Sequence, residues 1–248
     1  MSQQCKEKRI VIIPIFNEEP YINSVITMIR RYYDGDILVV NDGSTDGTAE
    51  IIKGINDVTT LTHENNLGYG KSLIDGFSYA IEKGYSCAVT IDCDEQHQPH
   101  HIPTIFSEMG DLDVFSASRY LKDMEGDDSP PQDRYRINRI ITKNVNVITG
   151  YNLTDGFCGM KGYKVKSLEK MELHESGYAF PIEFWIQAFH LGFKVGEFPI
   201  ARIYKNLNRT FGDELDDPEN RLDFYLKVLE REINRWQISS PLALTRTI

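Results

Sequence analysis

Nothing in the 248-residue sequence approaches the ~18 consecutive apolar residues that a membrane-spanning helix needs. The densest apolar stretch, 9–16, is interrupted by Pro14 and closed by Asn17-Glu18-Glu19. The amino-terminal MSQQCKEKR carries charge but leads into no apolar segment of signal-peptide length. Cysteine is scarce, and Cys5, Cys87, Cys93 and Cys158 form no Cys-x-x-Cys pair, so they read as free thiols of a reducing cytoplasm. The sequons at Asn152 and Asn208 then read as chance matches. Cations are outnumbered: Lys+Arg is 27 against 37 Asp+Glu, a formal net charge of −10. That balance argues against nucleic acid as a partner and against a polybasic membrane anchor. No internal repeat or low-complexity tract is visible. The expectation is a soluble, acidic protein of one or two domains, large enough to bury a core without disulfides.

What is present is alternation. Apolar strands are predicted at 9–15, 36–42, 58–64, 87–92, 113–118 and 194–200. Helices are predicted at 22–33, 45–54, 69–83, 134–148, 180–191 and 218–236. Strands separated by helices of this length point to an α/β fold with a doubly wound, mostly parallel sheet. In such sheets ligands bind beyond the carboxyl ends of the strands. Polar residues cluster there: Asn17-Glu18-Glu19, Asn41-Asp42-Gly43-Ser44, Asp92-Cys93-Asp94 and Ser118-Arg119-Tyr120. Several carboxylates on one rim repel one another unless something compensates them. Two in an Asp-x-Asp triplet suit a hard divalent cation bridging phosphates, while an isolated triplet of this kind is also a common solvated turn.

Other segments narrow the reading. Val39-Val40-Asn41-Asp42-Gly43-Ser44-Thr45-Asp46-Gly47-Thr48 runs from strand through glycine turn to helix start, and Asn65-Asn66-Leu67-Gly68-Tyr69-Gly70-Lys71 is a glycine-rich turn opening a helix. Asp92-Cys93-Asp94-Glu95-Gln96-His97-Gln98-Pro99, Ser118-Arg119-Tyr120, Thr154-Asp155-Gly156-Phe157-Cys158-Gly159-Met160, Gly177-Tyr178-Ala179-Phe180-Pro181-Ile182-Glu183 and Gly196-Glu197-Phe198-Pro199-Ile200 follow in order. With these motifs the sequence resembles family 2 glycosyltransferases of the GT-A (Rossmann-like) fold, in their dolichol-phosphate or polyprenyl-phosphate mannosyltransferase branch. The resemblance runs from about Arg9 to about Ile203.

The resemblance implies a nucleotide-sugar site formed by Pro14, Phe16, Glu18, Asp42, Lys71, Asp92 and Asp94, with Asp42 accepting a base ring N–H. From the residues alone, Phe16 is equally a core aromatic, Asp42 a turn or cap residue with Ser44 or Thr45 as alternative caps, and Lys71 a solvated lysine. Asp92, Asp94 and Gln96 fall on metal positions for Mg²⁺ or Mn²⁺, and Cys93 is expected to face away and pack. On the acceptor side, Arg119, Arg134, Arg139 and Arg209 are implied to hold a phosphate. Arg136, Arg139 and Lys143 share one helix face beside Ile137, Ile140, Ile141 and Val145, which suits either a lipid phosphate or a plain surface helix.

A phosphate acceptor is already ionised and needs no general base, whereas a sugar hydroxyl needs one. Asp155 and Glu183 are the candidates. Glu183 lies on an otherwise apolar helix, so it is a site residue or is paired with an arginine. The catalytic set expected is Asp94, Arg119, Asp155 and Glu183. After Ile200 the sequence departs from the family's basic phosphate-binding stretch: Arg209 remains, and acidic 213–217 follows. Glu232-Ile233-Asn234-Arg235-Trp236 has the spacing of the Gln-x-x-Arg-Trp motif of processive synthases without its glutamine.

The expected organisation is a GT-A catalytic domain over 1–205, with 206–248 an acidic segment and C-terminal helix packed on it or extending it. The expected activity is inverting, metal-dependent transfer of mannose or glucose from a GDP- or UDP-sugar to a polyprenyl or dolichyl phosphate. A glycan or glycolipid hydroxyl is the alternative acceptor, and a non-catalytic nucleotide-sugar binding domain a remote one. The expected location is cytoplasmic, peripheral at the membrane face.

Overall fold

The computed structural model describes residues 7–205, 210–239 and 244–248. The first half alternates strand and helix: β1 (Arg9–Ile15), α1 (Ile22–Arg30), β2 (Asp36–Asn41), α2 (Thr48–Lys53), β3 (Thr59–Thr62), α3 (Tyr69–Glu82), β4 (Cys87–Thr90), α4 (His101–Glu108) and β5 (Val114–Ser118). The second half contains α5 (Gln132–Thr149), β6 (Lys161–Lys164), α6 (Val165–Leu168), α7 (Phe180–His190), β7 (Val195–Pro199) and α8 (Pro218–Arg235), with a 3₁₀ turn at Asp213–Asp216.

The seven strands form one sheet in the order β3-β2-β1-β4-β6-β5-β7. β6 runs antiparallel to both β4 and β5, and the other pairings are parallel. Side chains alternate across a strand, and this splits the core in two. Ile10 and Ile12 of β1 and Leu38 and Val40 of β2 pack under α3, α5, α7 and α8. Val11, Ile13, Ile37 and Val39 pack under α1, α2 and α4 on the other face. A strand buried on both faces reads as the continuous apolar run seen in the sequence.

The C-terminal helix is built into the main core, where Leu222, Tyr225, Leu226, Val228 and Leu229 are all buried. Its start is capped by Asp217, whose side chain accepts the backbone N–H groups of Glu219 and Asn220. Cys87, Cys93 and Cys158 are free thiols, and Cys93 is buried as expected, while Cys5 lies outside the described residues. Among the described residues no helix is long and apolar enough to cross a membrane.

Candidate active site

The carboxyl ends of β1, β2 and β4 form a rim held together by side-chain hydrogen bonds. Asn17, in the left-handed region at φ 56°, accepts the Thr45 N–H through Oδ1 at 2.8 Å, while its own N–H donates to Ser44 Oγ at 2.9 Å. Glu19 accepts the Gly47 N–H at 2.9 Å. Ser44 and Thr45 therefore stitch the two loops together and do not cap α2, whose Thr48 N–H goes instead to Asp46 at 3.0 Å. Pro14 is buried within β1, Glu18 is buried, and Phe16 is 41% exposed, which removes the core-aromatic reading of Phe16.

Asp42 directly follows β2, and its N–H bonds Ile15 O at 2.8 Å. Its carboxylate is neither a helix cap nor open on all sides. Oδ1 accepts from His63 Nδ1 at 2.7 Å and from the Leu67 N–H at 2.8 Å, and Oδ2 accepts the Gly68 N–H at 2.8 Å. Lys71 pairs with Asp75 at 2.5 Å on its own helix, and its backbone N–H bonds Ser176 O at 3.0 Å. It is thus an ion-paired residue of α3, not a lysine standing free in solvent.

Asp92 follows β4, and three elements converge on it. Tyr69 Oη donates to its Oδ1 at 3.1 Å. The Asp92 N–H lies 3.2 Å from His97 Nδ1, and His97 Nε2 lies 3.6 Å from Cys158 Sγ. Gly159 comes so close that a Cβ built on it would lie 2.1 Å from Asp92 Oδ2. Asp94 Oδ1 accepts the Gln96 N–H at 3.0 Å, and Asp92, Asp94 and Gln96 are all partly exposed. Burial, and then the charge on Asp92, push the Tyr69 hydroxyl well above its usual range, so it stays a donor.

Two carboxylates and an amide suit Mg²⁺ or Mn²⁺, which commonly take one or two protein carboxylates and complete their shell with substrate phosphates and water. Among the described residues no group of three or more His, Cys, Asp or Glu is placed to hold an ion unaided, so a cation held by Asp92, Asp94 and Gln96 would need further oxygen ligands from outside the protein. The glycine that leaves room for Asp92 Oδ2 is part of that fit.

The two candidate bases turn out differently from the expectation. Asp155 is fully buried. It receives Arg119 Nε at 2.6 Å, Arg119 Nη2 at 2.9 Å and Asn138 Nδ2 at 2.7 Å. Burial alone would raise its pKa; the Arg119 charge and these hydrogen bonds outweigh it and hold the group at about 2. A carboxylate held this way is a poor proton acceptor. Glu183 is also fully buried, and it accepts the backbone N–H groups of His174 at 2.9 Å and Glu175 at 2.7 Å, with Arg235 Nη1 at 3.4 Å. Burial raises its pKa, and the carboxylate fixes the 172–179 loop from inside. Neither residue presents a free oxygen to a sugar hydroxyl. Arg119 is correspondingly not a free phosphate ligand, because two of its three guanidinium nitrogens are committed to Asp155.

Arg134 sits against an aromatic cluster. Its guanidinium lies 5.1 Å from the centre of the Phe211 ring. Phe211 meets Tyr178 edge-on at 5.3 Å, and Tyr178 stacks on Tyr69 at 6.0 Å. Rings thus run from the arginine to the tyrosine that donates to Asp92. Arg139 is half-buried on α5, whereas Arg136 is paired with Glu219 of α8. Arg209 lies outside the described residues. Tyr69, His63, Asn138, Tyr178 and Phe211 were not singled out from the sequence. Tyr69 and Tyr178 sit inside motifs that were, beside the glycines that open each turn.

Fold and rim together define a glycosyltransferase of the GT-A class. Residues 10–172 match the model of Glycosyl transferase family 2, and the chain belongs to that family. The undecaprenyl-phosphate mannosyltransferase of Micrococcus luteus is 28% identical over 212 residues, covering 81% of this chain and 86% of that protein. The UDP-N-acetylglucosamine–dolichyl-phosphate N-acetylglucosaminyltransferase of Methanococcus voltae is 27% identical over 221 residues, covering 82% of this chain and 88% of that one. Among solved structures, glucosyl-3-phosphoglycerate synthase from Mycobacterium tuberculosis, crystallised with Mn²⁺, UDP and glucosyl-3-phosphoglycerate, superposes with a TM-score of 0.70. The superposition covers 96% of this chain and 83% of that one at 18% identity, a likeness of fold.

Proposed function

We propose that this enzyme transfers a sugar, mannose or glucose, from a GDP- or UDP-sugar to a polyprenyl or dolichyl phosphate, with inversion at the anomeric carbon. The observation that carries the acceptor class is the state of Asp155 and Glu183: both are buried and hydrogen-bonded, which leaves neither to deprotonate a hydroxyl. A phosphate nucleophile is ionised at neutral pH and needs no such base. The relatives named above point the same way, since one is named for mannose and another for N-acetylglucosamine, each with a polyprenyl-type phosphate.

In this reading Asp42 accepts a ring N–H of the base, with Phe16 and Glu18 beside it. Asp92 and Asp94, with Gln96, hold Mg²⁺ or Mn²⁺. Such a cation neutralises the diphosphate leaving group. Arg134 binds the acceptor phosphate, while Arg119 holds the buried Asp155 carboxylate. The protein then meets its lipid as a peripheral enzyme at the membrane surface.

The test is transfer from GDP-mannose, UDP-glucose and UDP-N-acetylglucosamine to a short-chain polyprenyl phosphate in detergent, with Mn²⁺, Mg²⁺ or chelator. The expected result is a metal-dependent lipid-linked monosaccharide from one donor. Transfer to a glycan hydroxyl but not to the lipid phosphate would overturn the acceptor class. Undiminished transfer in chelator would overturn the metal site.

A further inference from the structure

A polar chain of four side chains lies behind the nucleotide end of the rim. His63 follows β3, and its N–H bonds Asn41 O at 2.9 Å, which ties it to the end of β2. Its imidazole is buried, with only 6% of the side chain exposed. Nδ1 lies 2.7 Å from Asp42 Oδ1 and Nε2 lies 2.9 Å from Asp75 Oδ2. Asp75 in turn receives Lys71 Nζ on Oδ1 at 2.5 Å. The ring is therefore held from both ends and cannot turn without breaking a buried hydrogen bond.

The effect falls on Asp42. Each carboxylate oxygen has about two acceptor positions. On Oδ1 both are taken, by His63 and by the Leu67 N–H at 2.8 Å. On Oδ2 one is taken, by the Gly68 N–H at 2.8 Å. Among the described residues, one acceptor position of this carboxylate remains without a donor, and its direction is set by the other three.

We infer that His63, backed by Asp75, fixes Asp42 as a reader with a single open acceptor, and that this pair sets the enzyme's preference for bases carrying a ring N–H. The inference rests on Asp42 being the base-binding carboxylate. Uracil and guanine each offer a ring N–H at their pairing edge. Cytosine and adenine put a lone pair there, and two acceptors facing each other repel. With His63 removed, Oδ1 is freed and the carboxylate can rotate, so it can accept the exocyclic amino group of the wrong bases. Buried polar groups left unpaired are what make hydrogen-bond selectivity large.

The experiment is calorimetric titration of the full chain with UDP, GDP, CDP and ADP in Mn²⁺, alongside thermal unfolding. The variants are Asp42→Asn, His63→Asn, His63→Phe, Asp75→Asn and the double variant His63→Phe/Asp75→Asn. The tighter-binding of UDP and GDP serves as the reference. His63→Phe is expected to weaken the reference nucleotide about tenfold or more, near the ~1.4 kcal/mol that a factor of ten represents, and to narrow its margin over CDP and ADP. His63→Asn, which keeps an N–H facing Asp42, restores most of both. Asp75→Asn acts in the same direction although the Asp75 carboxylate pairs with His63 and Lys71 rather than with Asp42, and it adds nothing in the His63→Phe background.

Lower melting temperatures in His63→Phe and Asp75→Asn with unchanged affinity and base preference would reduce the pair to packing and overturn the inference. Should His63→Phe not fold, Asp75→Asn alone decides by the same criterion. If Asp42→Asn leaves nucleotide affinity untouched, or the wild-type protein binds neither UDP nor GDP, the underlying base-site reading fails instead.

Discussion

Arg119 and Asp155 meet in a two-point ion pair, Nε to Oδ2 at 2.6 Å and Nη2 to Oδ1 at 2.9 Å, with the Asp155 side chain fully buried and the Arg119 side chain 19% exposed. The pair ties the end of β5 to the glycine turn before β6. Removing one partner of a buried pair leaves an uncompensated charge, which costs roughly 3–5 kcal/mol. Arg119→Met is therefore expected to lower the urea midpoint strongly, and adding Asp155→Asn should recover part of the loss. A fully stable Arg119→Met protein that has lost only transfer would instead make Arg119 a ligand-binding residue.

The same pair predicts an acid limit. The folded-state pKa of Asp155 is depressed to about 2, below its unfolded value near 3.9. A depressed acid stabilises the fold above the unfolded pKa, and that contribution is lost as pH falls through the folded one. Unfolding followed by circular dichroism should thus show Asp155-linked destabilisation between about pH 4 and pH 2. In Asp155→Asn this component of the acid transition should disappear; an unchanged profile refutes the assignment.

Glu183 gives a cleaner test of mechanism. Its oxygens accept the N–H groups of His174 and Glu175. Glu183→Gln keeps one acceptor oxygen and forfeits the other, so a stability loss of about 1–3 kcal/mol is expected. Transfer kcat should stay within a few-fold of wild type once the protein is folded. A loss of a hundredfold or more in a protein of near-normal stability would restore Glu183 as the base.

These outcomes mark where sequence reasoning reached and where it stopped. β1 and β2 were legible as continuous apolar runs because both faces of each strand are buried, one in each half of the core. The Asp92/Asp94 rim was legible because polar residues end a buried strand. β6 was missed: Lys161-Gly162-Tyr163-Lys164 is short, lysine-rich and antiparallel to its neighbours, and its strand character comes from β4 and β5 on either side. α4 is absent from the predicted helices; it is only eight residues long, and Pro103 sits in its first turn, where a missing N–H costs little. For Glu183 the sequence showed a carboxylate on an apolar helix and offered two explanations. The arginine explanation was nearer, with Arg235 at 3.4 Å, but the stronger partners are backbone amides, which composition does not reveal.

Gly159 supplies the sharpest test of the metal rim. An alanine there would put Cβ 2.1 Å from Asp92 Oδ2 and 2.6 Å from Cγ, distances no real contact tolerates, so Asp92 must move. Gly159 is not among the positive-φ residues, so alanine meets no left-handed strain at this position. The Gly159 carbonyl, which accepts Thr90 Oγ1 at 2.6 Å, is retained. The damage therefore falls on the carboxylate and on its 3.1 Å bond from Tyr69. Gly159→Ala should melt within a few degrees of wild type and lose the Mn²⁺-dependent part of its UDP or GDP affinity, while metal-free nucleotide binding persists. Asp94→Ala should reproduce that pattern. Tyr69→Phe should be the mild version, since one hydrogen bond contributes about 0.5–1.5 kcal/mol, roughly two- to tenfold in affinity. Calorimetry with and without Mn²⁺ reads all three. Full metal dependence in Gly159→Ala would mean that Asp92 contributes nothing to the cation shell, and Asp94 and Gln96 would then have to hold it with the diphosphate.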